Sequence, residues 1–205
     1  ADLFLQVFKM NNFSDVTAVY DNFGRAIAAF ERSQSVQRFN SRFDRGRLTE
    51  AEDRGQALFA ASCADCHPNT PQAATGAVLF TTYGYANIGL PPNPSLGLSD
   101  PDLGLGGFLQ TDFDTFKNID DEDYAAQYGK FKIPTLRNVA ATPPYGHNGV
   151  FATLLEMVQF LNDSDGFESE YDATISPDVG NMELSDDEIA DIVAFLKALS
   201  DTNRP

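Results

Sequence analysis

A chain of 205 residues with 42% hydrophobic side chains suits one domain, or one domain plus an appendage, with enough apolar mass for a proper core. No apolar run approaches the ~20 residues that a membrane-crossing helix needs, and no basic-then-apolar leader opens the chain, so a mature form without a membrane span is expected. A formal charge of −16 makes nucleic acid and anionic membranes poor partners.

The charge is unevenly spread. Residues 1–60 hold eight Lys/Arg and eight Asp/Glu, which leaves six against twenty-two for residues 61–205. Such a surface is either simply solvated or steers a basic partner by an attraction that salt weakens.

The first residues, with Leu3, Phe4, Leu5, Val7 and Phe8, are too apolar for a free tail. Val16, Val19, Tyr20, Phe23, Ile27 and Phe30 then recur at helical spacing, and Arg25 and Glu31 fall on the opposite face. Residues 33–48 read as an irregular, Arg-rich connection. Thr49 and Glu52 form a capping box that starts a helix over 49–61, with Gly55, Leu58 and Phe59 on one face. Residues 68–132 are rich in Gly and Pro and predict surface loops, with one short helix near Asp120–Tyr128. A second box, Thr153 with Glu156, opens a helix that turns Leu154, Leu155, Val158 and Leu161 inward. A third, Ser185 with Glu188, opens the last helix, whose stripe is Ile189, Ile192, Val193, Leu196 and Leu199. No strand signal or internal repeat stands out. The expected fold class is all-α, divided into a helical lead segment, 1–48, and a second domain, 49–205.

The chemistry lies at Cys63-Ala64-Asp65-Cys66-His67, a C-x-x-C-H haem-attachment pattern. The two thiols would add across the haem vinyl groups and His67 would bind the iron as proximal ligand. Zinc needs two further ligands, yet the only other histidine, His147, has no Cys or His neighbour. A redox dithiol would want a strand-helix-strand setting, which the sequence does not offer. One covalent haem c implies a periplasmic or other extracytoplasmic location, because haem is coupled to cysteines after export. The partners it implies are a basic redox protein or a small electron donor. The crossing of the first and last domain helices, with Gly55 at the close approach and Phe59 against Phe195, fits a cytochrome c-like haem domain with long irregular loops.

Three stretches carry a resemblance. They are Tyr20 to Arg32 (YDNFGRAIAAFER), Gly129 to Val139 (GKFKIPTLRNV) and Thr142 to Phe151 (TPPYGHNGVF), and the closing Ile192 to Leu199 supports them. Together they resemble the C-terminal, electron-relaying haem domain of bacterial di-haem cytochrome c peroxidases and of the related MauG-type enzymes. The resemblance spans nearly the whole chain. It implies that a second haem, which reacts with peroxide, belongs to an N-terminal domain whose tail residues 1–48 resemble. The chain is then either part of a di-haem protein, completed by a second haem-bearing chain or domain, or a monohaem relative.

In the peroxidases a Met at the end of the helix after P-Y-x-H-x-G binds the iron, and in MauG-type enzymes a Tyr does. The corresponding residue here is Leu161, with Phe160 before it, and neither binds iron. Met182, in the loop before the last helix, is the leading substitute. Met157, His147 and an open site are the alternatives. Pro134 is expected to offer its carbonyl to the free ring N–H of His67, and Arg137 to hold a haem propionate or lie on the surface. The family also places calcium between its domains, using carbonyls that match Thr142 and Pro144 and an Asn from the N-terminal domain. That ligand set is incomplete in this chain.

Overall fold

The computed structural model describes residues 1–73, 75–111 and 121–202, which form two compact units, Ala1–Phe39 and Asn40–Pro205. In the first, α1 (Asp2–Val7) packs the Phe4 ring against Phe8 and Phe13, at 4.7 and 5.9 Å between centroids. Asp15 caps α2 (Val16–Glu31) by accepting the Ala18 N–H. Neither helix buries a single residue.

The second unit is built on α3 (Glu50–Ser62) and the last helix, α7 (Asp186–Ala198). Gly55 sets their crossing: a Cβ there would fall 1.9 Å from the carbonyl oxygen of Asp191. The missing side chain lets one backbone touch the other. Phe59 and Phe195 meet at 5.2 Å, and Phe80, fully buried, closes a three-ring cluster with them. Helix α6 (Leu154–Asn162) adds Leu154 and Val158 to the same core. All three capping boxes form, each with both reciprocal hydrogen bonds.

Between α3 and α6 the chain makes loops, α4 (Gly104–Thr111) and the short α5 (Asp121–Ala125). The expected helix start at Asp120 lies outside the described residues. The molecule is mostly helical, but it adds a small antiparallel ladder of β1 (Tyr85–Ala86) and β2 (Phe131–Lys132), pairing Tyr85 with Lys132 and Ala86 with Phe131. Two-residue strands are too short to leave an alternating pattern in a sequence. Among the described residues no helix is long and apolar enough to cross a membrane.

Residues 40–48, read from sequence as part of the lead segment, pack within the second unit. Phe43 lies 5.1 Å from the Phe80 ring, and Asp44 receives both forks of Arg137 at 2.7 Å. Burial alone would push the Asp44 carboxyl up. Hydrogen bonds from Arg137 and Ser41, with the Arg137 charge, outweigh it and hold the group below its ordinary value. A depressed carboxylate stabilises the fold above its unfolded value, about 3.9, and loses that contribution as pH falls through the folded value. Asp44→Asn is therefore expected to cost about 2 kcal/mol at pH 7 and to flatten the acid limb of the stability profile. Melting curves at pH 7 and pH 3 check this, and an unchanged acid limb in the variant would overturn it.

Candidate haem site

Helix α3 ends where its sequence turns to the attachment motif. Cys63 is the C-cap, with its N–H on the Phe59 carbonyl at 2.8 Å, and the His67 N–H returns to the Cys63 carbonyl at 2.9 Å. One turn thus gathers both thiols and the imidazole at the end of a helix anchored in the core. The thiols are free.

Their ionisation separates the possible chemistries. Burial pushes the Cys63 thiol up to about 12. Cys66 is also raised, by burial first and then by the Asp65 and Asp178 carboxylates. A redox dithiol or a metal-binding thiolate needs the opposite shift. No group of three or more His, Cys, Asp or Glu able to hold a metal ion occurs among the described residues. Neutral, partly buried thiols suit addition of S–H across a vinyl group. Two free thiols and an imidazole gathered on one turn therefore fit haem attachment.

His67 is prepared in the same sense. Burial lowers its imidazole pKa, outweighing a hydrogen bond from Nδ1 to the Phe80 carbonyl at 2.8 Å. A carbonyl can only accept, so Nδ1 carries the proton and Nε2 of the neutral ring keeps its lone pair for iron. That bond corrects an expectation: the acceptor is Phe80, not Pro134. Phe80 adopts a left-handed φ of +52°. The Pro134 stretch instead runs beside the same loop, with Thr81 Oγ1 donating to the Ile133 carbonyl and Thr135 Oγ1 to the Leu79 carbonyl.

Arg137 requires a second correction. Its side chain is 7% exposed, its Nε donates to the Val78 carbonyl, and its forks hold Asp44. It is not a surface residue. It ties residues 41–44 to the segment leading into Phe80.

The candidates for the sixth iron position sit apart from one another in role. Met182 is half-buried in a loop clamped by Asn162, whose carbonyl takes the Met182 N–H at 3.0 Å and whose side chain makes two bonds to Leu184. Met157 and Leu161 pack on the apolar cluster of Leu90, Phe151 and Phe160. His147 is stacked on Phe131 at 3.5 Å, with Nε2 on the Glu170 carboxylate at 2.7 Å. Asn148 completes that corner with bonds to Pro91 and Glu170. The P-Y-G-H-N-G turn is thus tied to Pro91 and Glu170. Sequence reasoning did not find Phe80, Asp44 or Glu170. Phe80 acts through its carbonyl, and the two carboxylates lie far along the chain from their partners.

A sequence profile described as cytochrome c matches residues 52–200. The methylamine utilization protein MauG of Paracoccus denitrificans is 31% identical over 97% of this chain and 56% of its own length. A cytochrome-c peroxidase of Denitromonas iodatirespirans is 34% identical over 86% of this chain and 49% of its own. The crystal structure of the diheme peroxidase BthA from Burkholderia thailandensis superposes with a TM-score of 0.79 at 25% identity, covering 98% of this chain and 56% of that one. The chain therefore spans about half the length of the relatives it matches.

Proposed function

Because this chain belongs to the cytochrome c family, among its di-haem cytochrome c peroxidase and MauG-type members, we propose that it is the electron-relay half of a di-haem periplasmic oxidoreductase. Bound haem c supplies a one-electron iron couple. The residues that would hold that group are Cys63 and Cys66, with His67 oriented through the Phe80 carbonyl as the iron ligand.

The observation that carries the half-protein reading is the apolar face of the first unit. Val16, Tyr20, Phe23 and Phe30 on α2 are 75%, 79%, 59% and 64% exposed, with Leu3 and Val7 of α1 beside them in the sequence pattern and equally uncovered. Soluble proteins rarely leave so large an apolar surface in water, and each such side chain buried is worth about 1.5–3 kcal/mol. A further haem-bearing domain of the kind that makes up the relatives' remaining length would cover it.

A relay needs fixed coordination at the iron, whereas an open site invites peroxide. The ferric holoprotein is expected to give a low-spin absorption spectrum that neither peroxide nor cyanide alters. A high-spin spectrum that shifts with either would place catalysis at this iron and overturn the relay role.

A further inference from the structure

Residues 163–181, between α6 and α7, form one long loop whose two ends meet. Asp163 bridges to Asn181, and Gly180 lies so close to Ser164 that a Cβ there would clash with its side chain. Loops of this length without helix or strand are uncommon in a compact domain and commonly serve as lids or binding loops. This one carries six carboxylates and no Lys or Arg, so its own charge works to lift it from an acidic molecule. Asn87 and Glu170 fasten it down. Buried Asn87 donates to the Tyr171 carbonyl at 2.7 Å and the Thr174 hydroxyl at 3.0 Å, and its carbonyl takes the Ser176 N–H. The Glu170 N–H donates to the Leu90 carbonyl at 2.9 Å. One oxygen of its carboxylate accepts His147 Nε2 at 2.7 Å, and the other accepts Asn148 Nδ2 at 3.0 Å. His147 is fixed in turn by Phe131, whose ring stacks within 7° of parallel. Beyond Ser176 the loop reaches Asp178, whose charge acts on the Cys66 thiol, so the fastened loop passes beside the attachment turn.

We propose that His147 and Glu170 are positioning residues for the haem: their hydrogen bond keeps the 163–181 loop shut beside the attachment turn, and the shut loop keeps small molecules from the iron. A bond to a carboxylate is charge-assisted and among the stronger that side chains make. The two side chains are only 18% and 12% exposed, so removing either one leaves the other sheltered from water without its partner. An electron relay needs the exclusion, because a foreign ligand on the iron changes its coordination and its potential. The inference rests on the electron-relay reading and adds what shields the iron.

The test is cyanide binding to the ferric holoprotein, followed by its absorption spectrum. His147→Ala and Glu170→Ala are each expected to bind at least about tenfold faster than any reaction of the wild type, since losing a charge-assisted bond raises the open fraction of the loop. The double variant should gain no more than about twofold over the faster single variant, because both act through one bond. Glu170→Gln, which keeps an acceptor oxygen and the shape of the side chain, should fall between. Thr49→Ala loses the cap of α3 and should melt lower, yet keep the wild-type response to cyanide. Wild-type rates in both alanine variants, gains that multiply in the double variant, or an equal gain in Thr49→Ala would overturn the shielding role. A wild type that itself binds cyanide defeats the relay reading, and the tenfold ratio between variant and wild type still decides for or against the shut loop.

Discussion

Replacing both Cys63 and Cys66 by serine is expected to yield protein without covalent haem, read as the absence of a haem adduct in the mass spectrum and of haem stain on a denaturing gel. These are the only two cysteines in the chain, so nothing else can form a thioether. Cys63→Ser alone should leave a single thioether through Cys66 and a haem still attached. His67→Ala should keep the adduct but lose the axial ligand, moving the ferric spectrum toward high spin. The expected loss is total for the double variant because no other thiol remains in the chain. Haem also binds the folded state alone, so the double variant should melt well below the holoprotein. A covalent haem mass persisting in the double variant would end the attachment reading.

How much of this could be read from sequence follows the range of each interaction. The capping boxes at Thr49, Thr153 and Ser185 were legible because both partners lie three residues apart. The stripe on α7 was legible because helical periodicity repeats it, and the Gly55 crossing followed from a small residue facing an aromatic one. The His67 partner was not legible. Any residue offers a carbonyl, and what aims this one is the backbone at Phe80, which no side-chain pattern records. The Arg137 pair was not legible for a related reason: its carboxylate, Asp44, stands ninety-three positions away in a stretch that looked irregular. The six-residue stripe on α2 was found, whereas its exposure needed three dimensions.

The two corrections join into one arrangement. Arg137 holds Asp44 and the Val78 carbonyl, Phe43 packs on Phe80, and Phe80 holds His67. The imidazole is thereby braced by a chain of contacts that includes residues 41–44, well before the attachment motif. Such bracing of an iron ligand from outside limits its movement when the iron changes charge. Asp44→Asn is accordingly expected to disturb the haem spectrum as well as stability.

Gly55→Ala is expected to destabilise the holoprotein by at least ~3 kcal/mol, lowering its melting temperature by roughly 6–12 °C. The added methyl would lie 1.9 Å from the Asp191 carbonyl oxygen, 2.5 Å from its carbon and 3.0 Å from Phe195 Cβ. Two of those neighbours are backbone, so no rotamer change relieves the clash, and α3 must move from α7. That separation opens the contacts Phe59 makes with Phe195 and Phe80 at 5.2 and 5.8 Å. It also pulls on the paired Arg54 and Asp191, whose atoms lie 2.7 Å apart beside the crossing. Phe80 supplies the carbonyl that orients His67, so the haem spectrum should change together with the melt. The contrasting substitution is Gly24→Ala in the middle of α2, where nothing lies within 4 Å of the new methyl. There the gain in helix propensity should stabilise α2 by up to about 1 kcal/mol. One chemical change at two helical glycines should therefore act with opposite sign. Equal melting temperatures for Gly55→Ala and the wild type would mean that the α3–α7 crossing does not hold the haem domain together.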